Sequence, residues 1–138
     1  MKHIWAKKMI SFAVDLASQQ QLSFCFAIYD ESANLLAFQR MDHSMLGSID
    51  LALMKAKTAC LFRTETQELG QLSQPNMPIW SIEFSNGGLS TIAGGVPLLN
   101  QAGEFIGSIG VSGGTAEQDK EMAQMCSEYF LKNVGFTQ

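Results

Sequence analysis

The chain concentrates its glycines in one segment. Nine of the twelve glycines in its 138 residues fall between Gly87 and Gly114. Glycine weakens the interior of regular elements, and it is used where a backbone turns tightly or where another backbone approaches closely. The apolar pattern of this segment predicts strands at about Leu89–Ala93, Val96–Leu99 and Glu104–Val111, the last two joined by a short hairpin loop. We therefore expect closely packed strands here.

The flanking segments alternate between helical and strand periodicity. Apolar residues at helical spacing predict helices over residues 3–19, over about 48–62, and from 115 to about 132. Leu22–Tyr29 and Leu35–Met41, separated by turn-forming residues, predict a hairpin. The sequence therefore begins with a helix and a hairpin and ends with a helix.

Shorter signals mark the helix ends. Ser48 is predicted to cap the central helix, and a capping box formed by Thr64 and Gln67 predicts a short helix before Pro75. A second capping box, Thr115 with Gln118, is predicted to begin the last helix. The alternation of residues 80, 82 and 84 favours a short extended segment.

The length and composition predict one domain covering residues 1–138. The hydrophobic fraction is 46% and the charged fraction 16%, which excludes a disordered chain. The order of elements predicts the α+β class, with a central antiparallel sheet of about five strands covered by helices.

Charge and hydropathy exclude several partners. The formal net charge is −4, and no Lys, Arg or His occurs from Thr64 to Asp119, so we expect no nucleic-acid binding through a basic face. No run approaches the ~18 apolar residues of a membrane span, and we expect neither a membrane segment nor a signal peptide. Three widely spaced cysteines with apolar neighbours predict buried, reduced thiols and a cytoplasmic location.

One candidate anion site follows the glycine-rich strands. The backbone N–H groups of residues 112–115, at the start of the last helix, have the arrangement that binds a carboxylate or phosphate. Glu117 and Asp119 oppose this interpretation, since acids in the first turn already occupy the favourable field. A tight turn with a helix cap is the alternative. The chain lacks a Walker motif and a G-x-G-x-x-G motif after a strand, so nucleotide binding is weakly supported.

A second candidate site lies after the predicted hairpin, where Arg40, Asp42 and His43 occur together. A histidine beside a carboxylate is a candidate metal ligand or general base, and an ordinary surface-loop histidine is the alternative. The cysteines and histidines show none of the paired spacings of structural zinc.

Eight segments, in order along nearly the whole chain, carry a resemblance to a known family: residues 28–30, 35–42, 48–50, 55–59, 85–88, 94–98, 106–114 and 118–119. Together they resemble the GlcG/HbpS-like haem-binding domains, which also occur as the C-terminal domain of PduO-type cobalamin adenosyltransferases. The resemblance implies an α/β/α domain assembled into a symmetric homo-oligomer, often an octamer. It also implies haem as the cofactor, with haem degradation or redox sensing in some members.

The resemblance leaves the axial haem ligand open. His43 stands where glycine is common after Arg-Met-Asp in the family, and it is the first candidate for the metal. Tyr29, Tyr129, Cys60 and Lys55 are chemical alternatives.

The sequence therefore predicts a cytoplasmic, oligomeric protein that binds haem or another small ligand between the hairpin loop and the glycine-rich segment. A metabolic accessory enzyme acting on a small carbonyl or hydroxy compound, with Asp42 or His43 as general base, is the alternative. Surface ion pairs are the structural alternative for Arg40, Asp42 and Lys55. In the ligand-binding interpretation, Arg40 and Lys55 meet ligand carboxylates, His43 meets iron, and backbone N–H groups donate from Ser112, Gly113, Gly114 and Thr115.

Overall fold

The computed structural model describes residues 1–134 and shows helices on both sides of a β-sheet. The elements in chain order are α1 (His3–Gln19), β1 (Cys25–Asp30), β2 (Leu35–Arg40), α2 (Gly47–Phe62), α3 (Thr66–Leu72), a 3₁₀ turn (Ile82–Phe84), β3 (Gly95–Leu99), β4 (Phe105–Ser112) and α4 (Ala116–Asn133). The predicted α+β class is confirmed, and so are the opening hairpin and the helices at both ends.

The sheet is antiparallel throughout, with the strand order β2-β1-β4-β3. Its two central strands come from opposite ends of the chain, because Cys25 of β1 pairs with Ser112 of β4 and Asp30 pairs with Gly107. The strands β2 and β3 form the edges. Pro97 lies in β3, where the missing N–H of proline is tolerated at a sheet edge.

The two faces of the sheet carry separate helices. Phe26 and Ile28 of β1 belong to the large core formed with α1 and α4. Cys25 and Ala27, which alternate with them, pack instead with Ala52 and other residues of α2. Because successive side chains of a strand point to opposite faces, α2 lies across the sheet from α1 and α4. The result is three layers, helix, sheet and helix.

Glycine brings α2 unusually close to the sheet. A Cβ at Gly110 would overlap the carbonyl oxygen of Ala52 and would lie 2.6 Å from the nitrogen of Ala56. Gly95 meets the carbonyl oxygen of Lys55 in the same way. The expectation that glycine marks close backbone approach is therefore confirmed where α2 crosses β3 and β4.

The predicted strand at Leu89–Ala93 is wrong, and residues 1–134 contain four strands in place of about five. Side-chain hydroxyls take the hydrogen bonds that a neighbouring strand would supply. The N–H of Ser90 donates to Oγ1 of Thr58 over 3.1 Å, and Oγ1 of Thr66 donates to the carbonyl oxygen of Ile92 over 2.7 Å. The expected extended segment at residues 80–84 is also wrong, since residues 82–84 form the 3₁₀ turn.

The predicted caps have different outcomes. The box of Thr115 and Gln118 is confirmed at the start of α4. The predicted cap at Ser48 is wrong, because α2 begins at Gly47 without a side-chain cap. The short helix α3 is confirmed but its predicted box is wrong, since the hydroxyl of Thr64 donates to the carboxylate of Glu68.

Among residues 1–134, none of the helices is both long enough and apolar enough to span a membrane.

Candidate functional site

The predicted site residues separate into two places. Arg40, Asp42 and His43 line one pocket with a volume of about 520 Å³. Lys55 and residues 112–115 do not line that pocket; Lys55 and Gly114 both donate to the carboxylate of Asp119 in the first turn of α4. The structure therefore keeps the first group together as a candidate ligand site and gives the second group internal partners.

The pocket forms where the end of β2 passes the second half of α1. Val14 and Ser18 of α1 face the strand end, and Leu22 continues this wall. Polar side chains make up most of the lining, and Val14, Leu22 and Met41 are its apolar members, so the pocket is more polar than most small-molecule sites. Its volume lies within the ~300–1,000 Å³ typical of such sites.

Hydrogen bonds fix the loop that carries the pocket residues. The N–H of Met41 donates to the carbonyl oxygen of Phe24 over 3.0 Å, and the N–H of Phe24 donates to Sδ of Met41 over 3.5 Å. The hydroxyl of Ser44 donates to the carbonyl oxygen of Met41 over 2.8 Å. Asp42 and His43 are therefore held on both sides.

His43 has left-handed backbone geometry, with φ of 68°. Histidine adopts this region more readily than most residues with a Cβ, and its imidazole is exposed at the pocket. Within residues 1–134 the side chains of Arg40, Asp42 and His43 make no hydrogen bonds to protein groups or ion pairs. The expected orientation of the imidazole by Asp42 is therefore not made, and all three side chains are available to a ligand.

Lys55 is buried in an ion pair. Its Nζ donates to Oδ2 of Asp119 and to the carbonyl oxygen of Val111, each over 2.9 Å, and its side chain is 1% exposed. Burial lowers the pKa of Lys55 and raises the pKa of Asp119, although their attraction opposes both changes. The surface pair considered for Lys55 is therefore wrong. Lys55 pairs with a carboxylate of the protein itself, that of Asp119. A contact between Lys55 and a ligand carboxylate remains a prediction, and the buried ammonium offers no exposed donor for it.

The backbone after β4 forms the turn and helix cap. The N–H of Gly114 donates to Oδ1 of Asp119, and the N–H of Thr115 donates to Oε1 of Gln118, each over 2.9 Å. Gly113 has φ of 142°, and a Cβ there would lie 2.6 Å from the carbonyl oxygen of Ser23. The N–H groups of Gly114 and Thr115 therefore already donate to side chains of α4, as expected for a helix cap. Binding of a ligand anion at residues 112–115 stays a prediction.

The alternative iron ligands differ in exposure. The thiol of Cys60 is 4% exposed and donates to the carbonyl oxygen of Asp30 over 3.3 Å, and burial raises its pKa. Tyr29 is half-buried, and burial raises its pKa as well. Tyr129 lies in a groove and stacks on Phe12, with ring centroids 4.2 Å apart. The three cysteines are buried and unpaired, as predicted.

The groove that contains Tyr129 was not foreseen from the sequence. It lies between α1 and α4, has a volume of about 800 Å³, and includes Lys7 and Lys8 in its lining. The helical pattern of α1 indicates which residues are wet, but a groove requires knowledge of how α1 packs on α4. The signal that points to it is a half-exposed aromatic residue on each helix, Phe12 and Tyr129.

The sequence and the fold are both similar to those of known proteins. The family model described as "Haem degrading protein HbpS-like" matches residues 2–128. The chain belongs to the HbpS-like family. The resemblance inferred from the sequence motifs is thereby confirmed.

Two curated relatives are similar in sequence to this HbpS-like chain. An uncharacterised 15.0 kDa protein from the dhaT-dhaS intergenic region of Citrobacter freundii is 36% identical over 126 residues, covering 91% of this chain and 88% of that protein. The corrinoid adenosyltransferase PduO of Salmonella typhimurium is 36% identical over 112 residues, covering 81% of this chain and 33% of that enzyme. The chain thus corresponds to one part of the longer enzyme.

A solved structure extends the likeness to the whole fold. The crystal structure of a PduOC:heme complex matches with a TM-score of 0.88 and 32% identity, covering 100% of this chain and 99% of that chain.

Proposed function

We propose that this protein binds haem in the pocket formed by Arg40, Asp42 and His43. The observation that carries the proposal is the presence of a guanidinium and an imidazole, both without protein partners among residues 1–134, at the edge of a partly apolar pocket. The haem complex of a relative that matches the whole chain supports haem as the ligand.

The donor set fits haem. Imidazole is a common axial ligand of haem iron, and the guanidinium of Arg40 suits the carboxylates of the propionate groups. Val14 and Leu22 supply apolar surface for the porphyrin. The carboxylate of Asp42 repels propionates, so we expect these groups to lie on the Arg40 side. Bound haem would supply a redox-active iron.

Exposure narrows the choice of axial ligand. Cys60 and Lys55 are buried and use their polar atoms in internal hydrogen bonds. Tyr129 is accessible, but from the groove on the other side of α1. We therefore favour His43, and we keep Tyr129 as the alternative that the experiment must separate.

A titration of haem into purified protein tests this proposal. We expect a saturable Soret band at one haem per chain, and an affinity at least tenfold weaker, ~1.4 kcal/mol, in His43→Ala. His3→Ala is the matched control, because His3 is exposed at the start of α1 and outside the pocket. An unchanged affinity in His43→Ala would contradict the site, and loss of the band in Tyr129→Phe would move haem to the groove.

The accessory-enzyme alternative gives a different result in the same experiment. Absence of a saturable band, together with turnover of a small carbonyl compound that is lost in Asp42→Asn or His43→Ala, would replace the haem proposal. Haem degradation and redox sensing are further proposals that the family description suggests. Both require reduction and oxidation of the bound iron, which the spectrum of the haem complex would report.

We also propose a cytoplasmic homo-oligomer, such as an octamer. The buried free thiols suit a reducing compartment. Exposed apolar surface often marks an interaction site. The most exposed large apolar side chains, with their exposed fractions, are Met45 (73%), Leu46 (74%), Trp80 (60%) and Phe84 (89%). Light scattering tests assembly, and a mass near the 15.1 kDa of one chain would contradict it.

A further inference from the structure

We propose that Phe84 of one copy inserts into the groove between α1 and α4 of a second copy. The inference rests on the assembly proposed above, and it specifies which surfaces join. It concerns neither the His43 pocket nor the identity of the ligand held there.

The turn that carries Phe84 is held rigidly. The carboxylate of Glu83 accepts hydrogen bonds from the hydroxyl of Thr91 over 2.7 Å and from the hydroxyl of Ser73 over 3.2 Å. The N–H of Leu89 donates to the carbonyl oxygen of Glu83 over 2.9 Å. Phe84 itself is 89% exposed. An aromatic side chain on a fixed backbone loses little conformational freedom on binding, and this is typical of an interface anchor.

The groove has the size and the lining to receive this ring. Its volume of about 800 Å³ exceeds one phenylalanine side chain several times, so it also accommodates the neighbouring turn. Ile4, Leu16 and the stacked rings of Phe12 and Tyr129 supply apolar surface. An inserted ring would add to this aromatic pair.

Charge favours the same pairing. Residues 64–119 contain six acidic residues and no Lys, Arg or His, whereas Lys7 and Lys8 line the groove. Glu83 stands beside Phe84, and the hydrogen bond from Thr91 lowers its pKa, so it is ionised at neutral pH. Asp15 is the carboxylate among the groove residues, and it opposes the two lysines. Lys57 lies beside the same turn, where its Nζ donates to the carbonyl oxygen of Asn86. The favourable charge is therefore limited to a contact of Glu83 with Lys7 or Lys8.

The two surfaces are different parts of the same chain. Each copy therefore donates one Phe84 and receives one, either by reciprocal exchange between two copies about a twofold axis or head-to-tail around a ring. A contact in which one patch meets the same patch of the second copy would not need both surfaces. This difference makes the inference testable by mixing.

The test uses one variant for each surface. Phe84→Ser removes the anchor, and Ser11→Glu places a negative charge in the groove, where Ser11 is exposed and where the new carboxylate would repel Glu83. We expect each variant alone to fall to the mass of one chain in light scattering. Mixed in equal amounts, they retain one intact junction per pair, and we expect twice the chain mass of 15.1 kDa. Thermal melting and circular dichroism confirm that both variants are folded.

Matched controls carry the same substitutions elsewhere. Leu35→Ser removes a 50% exposed apolar side chain from β2, and Gln20→Glu adds a negative charge outside the groove. We expect both controls to assemble like the parent protein.

Other outcomes overturn the inference. If the parent protein assembles and Phe84→Ser keeps its mass, this junction is wrong although assembly stands. If only Phe84→Ser dissociates, or if the mixture stays monomeric, Phe84 contacts another surface. If Ser11→Glu assembles but loses the Soret band, the groove holds haem. If the parent protein is itself a monomer with a normal haem titration, the assembly proposal fails along with the junction, and the haem site stands.

Discussion

The two faces of the sheet are filled in different ways. On the face covered by α1 and α4, large side chains interlock, among them Phe24, Phe26 and Phe130. On the face covered by α2, the buried residues are Cys25, Ala27, Ala52 and Ala56. Both faces exclude water, but the first does so with side-chain volume and the second by bringing backbones together.

This difference determines what each face tolerates. Interlocked side chains change rotamer and share a small change in volume among many neighbours. A backbone in contact with a backbone has no such freedom, because its atoms are fixed by the hydrogen bonds of a helix or a sheet. We therefore expect additions to be most damaging under α2 and replacements of similar size to be mild under α4.

The largest effect is expected from Gly110→Val. The new side chain would overlap the backbone of α2 at Ala52 and Ala56, so α2 must leave the sheet. We expect a loss above ~4 kcal/mol in the free energy of unfolding, or failure to fold. Gly47→Ala is the control within α2, because nothing lies within 4 Å of its Cβ position, and we expect it to melt at or above the parent temperature. A Gly110→Val protein with parental stability would refute the close approach.

Removing one partner of the buried ion pair should rank second. Lys55→Met leaves the carboxylate of Asp119 and the carbonyl oxygen of Val111 buried without their donor, and we expect a loss of ~3–5 kcal/mol in urea unfolding. Lys57→Met is the control, since Lys57 lies on the same helix and bonds to an exposed backbone carbonyl at Asn86. Equal losses for Lys55→Met and Lys57→Met would contradict a special role for the buried pair.

The pair also predicts a pH dependence. Burial raises the pKa of Asp119 above its ordinary 3.8 and lowers that of Lys55 below its ordinary 10.5. Proton linkage makes the contribution of Asp119 to the free energy of unfolding fall as pH rises from 3.8 through the raised pKa. The contribution of Lys55 rises from its lowered pKa towards 10.5.

The double variant Lys55→Met/Asp119→Leu separates these contributions from the rest of the protein. We expect the free energy of unfolding of the parent protein, relative to that of this variant, to be lowest near neutral pH. It should rise as the pH falls towards 3.8 and as the pH rises towards 10.5. Urea unfolding at several pH values measures the difference, and a difference independent of pH would show that the two pKa values are unshifted.

The smallest effect is expected on the other face. Met122 is 1% exposed in the core of α4, and Met122→Leu nearly conserves its volume. We expect a loss below ~1.5 kcal/mol, because neighbouring side chains repack. Thermal melting against the parent protein checks this value, and Met122→Ala, at ~2–5 kcal/mol, marks the loss when a cavity replaces the side chain. A Met122→Leu loss as large as that of Gly110→Val would remove the contrast between the faces.

Local patterns in the sequence were sufficient for most elements. The helical period of α1, the turn between β1 and β2, and the capping box at Thr115 depend on neighbours within a few residues, and the structure follows all three. The misassigned strand at Leu89–Ala93 has a strand-like pattern, but its partners are hydroxyls of Thr58 and Thr66, which are distant in sequence. Local periodicity does not contain that information.

The candidate site was likewise predictable only where its residues are neighbours in the sequence. Arg40, Asp42 and His43 are neighbours in sequence, and the structure gathers them in one pocket. Lys55 resembles an ordinary surface lysine of an amphipathic helix, yet its partner Asp119 lies 64 residues away. Its burial depends on how the end of β4 meets α4, which is a property of the tertiary fold.

The pairing of β1 with β4 has a consequence for the order of events during synthesis. Cys25 is opposite Ser112, so the two central strands complete their pairing only after Ser112 has left the ribosome. Until then β1 has only β2 beside it, and an isolated hairpin is marginally stable in water. Contacts so distant in sequence also slow folding, because a long loop must close before they form. The apolar residues of β1 therefore lack their β4 partner while residues 31–104 are being synthesised.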